Sequence, residues 1–256
     1  KFKGFRDAGV NRLSLGIQSF NESHLQALGR IHNAGEARRA VEIAQTYFDN
    51  INLDLMYALP LQTLAQAEQD VRIALEYKPQ HLSCYHLTLE PNTLFHRYPP
   101  SLPDDDASSE MQQHIEALLA KHGYQHYETS AFAQPKKQSR HNLNYWQFGD
   151  YLGIGAGAHG KITDLKTGVI TRRSKHPHPK TYLQTAHSAA VVATCQQLQP
   201  HDIVSEFMLN ALRLRHGVSV ATFFASVSKM HAGPCFICWQ GRLERLRALQ
   251  AKSGIH

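Results

Sequence analysis

Apolar and polar residues alternate over Val10–Ile17 (VNRLSLGI), the period of a half-buried strand. Asn21 then predicts the N-cap of a short helix reaching Leu28 and Gly29. From Gly35 to Tyr47 the spacing changes, and Ala37, Ala40, Val41 and Ala44 share one helical face. Ile51–Leu59 (INLDLMYAL) reads as a second strand stopped by Pro60, and Thr63 caps a helix with Leu64, Ala67, Val71, Ala74 and Leu75 inward. Leu82–Leu89 (LSCYHLTL) is a third strand. Strands and helices alternating at this spacing predict an α/β fold: a parallel sheet with helices packed on it, and ligands at the carboxyl ends of the strands.

The alternation then breaks. Glu90–Pro103 holds Pro91, Pro99, Pro100 and Pro103 and reads as a long loop. Asp104–Asp106 open a helix at its positive end, Met111, Ile115, Leu118 and Leu119 form its apolar stripe, and Gly123 ends it. Tyr124–Phe132 reads as one strand, Tyr151–Gly160 as a strand running into a glycine-rich turn, and Ile203–Leu214 as a helix. Ser226–Trp239 has no clear period, and Gly241–Lys252 fits a short basic helix. A boundary near residue 195 gives two domains, 1–195 and 196–256, with atypical sequence after about residue 225.

Composition narrows the class. With 42% hydrophobic and 19% charged residues the chain is globular, not disordered. The net charge of +6 is spread along the chain and points only weakly to an anionic partner, so no nucleic acid is expected. Apolar runs fall short of the roughly 20 residues of a spanning helix, which leaves only peripheral membrane contact open. No secretory signal is visible. Four cysteines are too few for a disulfide scaffold and suit the cytoplasm. The chain opens at Lys1 rather than Met and runs at once into a well-formed strand.

Several constellations carry candidate chemistry. Gln18, Asp54 and Tyr85 sit at or just past the ends of predicted parallel strands, and Arg30 lies just beyond the first helix. An amide, a carboxylate, an aromatic ring and a guanidinium converging on one rim suit a small polar ligand with an amino-acid-like end, Arg pairing its carboxylate. Polar residues solvating loop mouths are the plainer reading. His141-Asn-Leu-Asn-Tyr145-Trp146 packs an imidazole and two large aromatics into six residues. Such a segment fits either a flat pocket with an axial nitrogen ligand for haem iron or a loop anchored by its aromatics. Gly153–Gly160 fits a tight turn as well as a close approach to a ligand. Cys235-Phe-Ile-Cys238 has half-site spacing, but His231 and His256 complete no common pattern.

Seven segments in order, AGVNRLSLGIQSF (8–20), LGRIH (28–32), NLDLMYALP (52–60), LTLEPNTLF (87–95), YETSAFA (127–133), HNLNYWQFGDYLGIGAGAHG (141–160) and EFMLNALRL (206–214), closely resemble one family. It is the oxygen-independent coproporphyrinogen oxidase-like family of radical S-adenosylmethionine proteins, and HNLNYW resembles its haem-chaperone branch. The resemblance covers about residues 1–215. It implies a partial, open radical-SAM-type barrel followed by a smaller C-terminal domain. It also implies a [4Fe–4S] cluster on a CxxxCxxC loop after the first barrel strand. That loop is not in this sequence, and Cys235 and Cys238 match neither its spacing nor its place. The N-terminal strands are therefore expected to be missing, about one hundred residues by analogy with domain-sized cores.

By the same resemblance Gln18, Arg30 and Asp54 match S-adenosylmethionine contacts, Tyr85 and Thr88 match more loosely, and His159 lies in a glycine-rich segment facing that cofactor. His141 matches the histidine of a motif associated with haem, which makes it the candidate ligand to haem iron, with Tyr145 and Trp146 as walls. The implied function is a haem chaperone that binds haem and S-adenosylmethionine and serves haem-acceptor proteins. Radical oxidative decarboxylation of coproporphyrinogen III, with a porphyrin as ligand, is the alternative, and an inactive fragment is a further one.

Overall fold

Helix α1 (Phe2–Asp7) leads into strand β1 (Leu13–Gln18), and β2 (Ile51–Tyr57) and β3 (His81–His86) lie beside it in parallel register. This is a computed structural model that describes residues 1–227 of the chain, with side chains to residue 223. Between the parallel strands run α2 (Glu22–Ala27), α3 (Ala34–Tyr47) and α4 (Leu64–Glu76). Each starts where the sequence supplies a cap: Asn21 accepts from the Ser23 N–H, and Asn33 and Thr63 form reciprocal capping boxes with Glu36 and Gln66. Helix α2 stops at Gly29, whose positive φ lets its own N–H bond the Gln26 carbonyl and the Arg30 N–H reach back to Leu25.

The proline-rich loop contains a single short turn of helix, α5 (Leu94–Arg97), before α6 (Asp105–Lys121), capped by Asp104. The stretch expected as one strand over 124–132 is two, β4 (Gln125–Glu128) and β5 (Ala131–Ala133), turned back at Thr129–Ser130. Strand β5 pairs antiparallel with β3, so the first sheet has five strands in the order β1-β2-β3-β5-β4. Its apolar face (Ile17, Leu53, Leu55, Leu82, Cys84) packs with Val41, Ala44, Val71, Ala74, Ile115 and Leu119 from α3, α4 and α6. Each large side chain so buried contributes about 2 kcal/mol.

The chain divides into two compact units, Lys1–Arg140 and a second that begins at His141. This division falls at 140/141 rather than near residue 195, and Cys195 lies inside a strand, paired with Arg173. The second unit holds most of α7 (Arg140–Trp146), β6 (His159–Thr163), β7 (Ile170–Lys175), α8 (Pro179–Thr185), β8 (Val192–Gln197), α9 (Pro200–Ala211) and α10 (Val220–Val227). Strands β6-β7-β8 form an antiparallel sheet, while Tyr151 contributes only a bridge to Lys161. Phe148, Ile170, Ile203, Phe207 and Phe223 form this unit's core. Cys235, Cys238, His231, His256 and the basic segment 241–252 lie outside the described residues.

Candidate functional site

Strand alternation gives the first sheet a second face that is polar. Ser14, Gly16 and Gln18 on β1, Asn52, Asp54 and Met56 on β2, and His81, Ser83 and Tyr85 on β3 share it. Strand β1 ends at Gln18, where φ is +68° and the register with β2 shifts, so the chain leaves the sheet abruptly. The Gln18 side chain folds back over Gly16, where a Cβ would stand 2.9 Å from Gln18 Nε2 and would push that amide aside.

One hydrogen-bonded chain crosses this face. The Ser14 hydroxyl donates to Asp54 Oδ2 (2.9 Å), and Asn52 Nδ2 donates to Asp54 Oδ1 (2.7 Å) and to Ser14 Oγ (2.6 Å). Asn52 Oδ1 accepts from the Ser83 hydroxyl (3.1 Å) and lies 2.6 Å from His81 Nδ1. An amide oxygen only accepts, so Nδ1 carries the His81 proton and Nε2 accepts from the Tyr127 hydroxyl at 2.8 Å. Burial, aided by Arg12, pushes the His81 pKa down to about 3, and burial pushes the Tyr127 phenol up to about 12. Both groups are therefore neutral at pH 7, and each proton in the chain has one place. Asp54 is left partly exposed, with the Arg12 charge within electrostatic reach.

The loop that follows β1 is clamped from below. Asp70 on α4 is buried and accepts from the Ser19 hydroxyl (2.6 Å) and the Phe20 N–H (2.7 Å). Burial raises its pKa to about 6 against those bonds and Arg38. Arg30 is exposed, in a loop tied to β1 by His32 Nε2, 3.2 Å from the Ile17 carbonyl. Tyr85 is 40% exposed at the end of β3, and Thr88 is exposed beyond it, bonding Glu90. Gln18, Asp54 and Tyr85 thus share the polar face, Arg30 is held beside the end of β1, and Thr88 lies on the loop after β3. His159 belongs to the second unit, exposed at the start of β6. Ser14, Asn52, His81, Ser83, Asp70 and Tyr127 escaped the sequence reading. A polar residue at every second position of three parallel strands was the signal for Ser14, Asn52, His81 and Ser83, since both faces of such strands are ordinarily apolar; Asp70 on α4 and Tyr127 on β4 carried no such signal.

In the second unit, HNLNYW forms α7. His141 and Tyr145 are four residues apart on one side of it, rings edge to face at 4.8 Å, and His141 is exposed. Tyr145 also packs on Tyr151 at 4.5 Å, and Arg213 lies over Trp146 at 4.4 Å. The turn after α7 is tightly built: Phe148 has φ +61°, and its carbonyl accepts from the buried Lys161 ammonium at 2.7 Å. The glycine-rich segment is a close-packed turn, since a Cβ on Gly153 would meet the His159 carbonyl oxygen at 2.2 Å.

Comparison with known proteins places these features in context. No protein-family model matches the chain. The chain is 50% identical over 224 residues to the haem chaperone HemW of Haemophilus influenzae, covering 87% of this chain and 57% of that protein. It is 46% identical to HemW of Escherichia coli over 226 residues, covering 88% and 58%. The mitochondrial radical S-adenosyl methionine domain-containing protein 1 of Dictyostelium discoideum is 35% identical over 243 residues, covering 84% and 54%. The chain thus spans a little over half the length of these relatives. The solved structure of E. coli coproporphyrinogen III oxidase, HemN, described as a radical SAM enzyme, superposes with a TM-score of 0.73 at 21% identity, over 99% of this chain and 60% of that one. That likeness shows the fold: the α/β, radical-SAM-type architecture expected from the sequence.

Proposed function

This chain belongs to the haem-chaperone branch of the radical S-adenosylmethionine proteins, and on that premise we propose that it takes up haem and passes it to haem-acceptor proteins. The observation that carries the reading is α7: an exposed His141 braced edge-on by Tyr145, within the stretch that resembles the haem chaperones. An exposed imidazole offers a nitrogen to haem iron, and the Tyr145 and Trp146 rings supply flat apolar walls. Delivery calls for a site at the surface, and His141 is at the surface. The reading puts the protein in the cytoplasm, which the free thiols Cys84 and Cys195 suit. Among the described residues no helix is long and apolar enough to cross a membrane.

The polar face of the first unit fits S-adenosylmethionine. Asp54, oriented by Ser14 and Asn52, would accept from the ribose hydroxyls, Gln18 and Arg30 would meet the amino-acid end, and Tyr85 and Thr88 would line the loops beside them. When bound, S-adenosylmethionine supplies the family's radical chemistry. A [4Fe–4S] cluster does not fit the described residues: burial pushes the Cys84 thiol up to about 12, Cys195 lies in the other unit, and no group of three or more His, Cys, Asp or Glu is placed to hold a metal ion.

Titration of the protein with haem, followed by absorbance, tests the reading. A Soret band that shifts on binding and is lost in His141→Ala is the expected result. The same spectrum from both proteins removes His141 as the ligand and the reading with it.

A further inference from the structure

The haem reading of α7 leaves EFMLNALRL (206–214) without a role, yet this segment forms much of α9 and the turn after it. Two of its residues reach the haem segment. Arg213 lies over the Trp146 ring, and Glu206 starts a longer connection. Glu206 Oε2 accepts from Arg172 Nε (3.0 Å) and Nη2 (2.5 Å), so a single carboxylate oxygen holds one edge of the guanidinium through two hydrogen bonds. The remaining nitrogen, Arg172 Nη1, donates to the Tyr151 hydroxyl at 3.1 Å. The Tyr151 ring packs on Tyr145 at 4.5 Å, and the Tyr145 ring meets the edge of His141 at 4.8 Å.

We infer that Glu206, Arg172 and Tyr151 are positioning residues that fix the imidazole of His141 for axial ligation of haem. The inference rests on the haem reading of α7. The physical argument is one of lost freedom. An exposed histidine samples several rotamers, and only some point its nitrogen along the axis of an approaching iron. Tyr145 restricts that ring from one side. Tyr145 is itself half-buried, so its own angle depends on Tyr151. Tyr151 is fixed at its far end by a hydrogen bond from a guanidinium, and the planar fork of Arg172 is locked by Glu206 on α9. Every link lies in the second unit, and the links come from α7, the loop after it, β7 and α9. A ligand orientation is thus set by the tertiary packing of four segments rather than by the helix that carries it, which is how preorganised sites gain affinity.

The test compares haem titrations of the chain with those of Glu206→Gln, Tyr151→Phe and His141→Ala, reading both affinity and Soret position. Tyr151→Phe keeps the ring and removes only the hydroxyl that Arg172 holds. The expected result is a His141-dependent Soret band, with binding weakened about tenfold and the band displaced in Glu206→Gln and in Tyr151→Phe. Should Glu206→Gln fail to fold, as circular dichroism would report, Tyr151→Phe decides alone. Parent-like binding and spectrum in Tyr151→Phe, with His141 still required, overturn the positioning role and leave the haem reading standing. A parent-like spectrum in His141→Ala overturns both.

Discussion

Replacing Asp70 by asparagine isolates one buried carboxyl and the pH dependence it imposes. The side chain is 3% exposed, and its oxygens accept from Ser19 and Phe20. Burial raises its pKa from 3.8 to about 6 despite those bonds and the nearby Arg38. The unfolded chain releases this proton near pH 3.8 and the folded chain near pH 6. Between those values the folded state binds the extra proton, so the contribution of Asp70 to stability falls as pH rises and levels off above pH 6. At about 1.36 kcal/mol for each pH unit between the two values, the fall amounts to about 3 kcal/mol. Asparagine occupies the same volume, still accepts from the Phe20 N–H and cannot ionise. The stability difference between Asp70→Asn and the parent should therefore move in favour of the variant by about 2 kcal/mol from pH 4 to pH 6.5, the part of the whole fall that lies in this range. Urea denaturation of both proteins at half-unit pH steps measures it, and other titrating groups cancel in the difference. A difference that stays level across this range refutes the assignment of a raised, burial-driven pKa to Asp70. The loop that presents Gln18 should loosen further in Asp70→Ala, where two buried donors lose their acceptor at about 1–3 kcal/mol each.

His81 titrates with the opposite sign. Its folded pKa of about 3 lies below the ordinary 6.5, so the stability it contributes is complete above pH 6.5 and is lost as pH falls toward 3. The loss amounts to about 5 kcal/mol, and it should be absent in the melting temperatures of His81→Gln measured down the same pH range. Asp54→Ala should weaken S-adenosylmethionine binding at least tenfold by calorimetry, since it removes the oriented acceptor, and unchanged affinity would free Asp54 of that role.

The helix starts were legible in the sequence because a cap is a local event. Asn21, Thr63 and Asp104 each bond an N–H two or three residues ahead, and nothing distant decides it; Asn33 does the same, though the apolar spacing marked its helix only from Gly35. The parallel order of β1, β2 and β3 was legible for a related reason: alternating segments joined by helices have few ways to cover an apolar face. The placement of Gln18, Asp54 and Tyr85 on one face follows from that order. The second sheet was not legible. Strands β7 (ITRRSK) and β8 (VATCQQ) bury little of their length, so no periodicity marks them, and only the pairing of β7 with β6 and of β8 with β7 makes them strands. The partners that give the candidate sites their chemistry lie far along the chain: Asp70 is 51 residues from Ser19, His81 is 46 from Tyr127 and Glu206 is 34 from Arg172. Sequence by itself thus determined the elements and the residues able to do chemistry, because capping and periodicity act within a few positions. Tertiary structure alone decided which protons those residues hold and where they point, because burial and hydrogen-bond partners depend on segments that meet only in the folded chain.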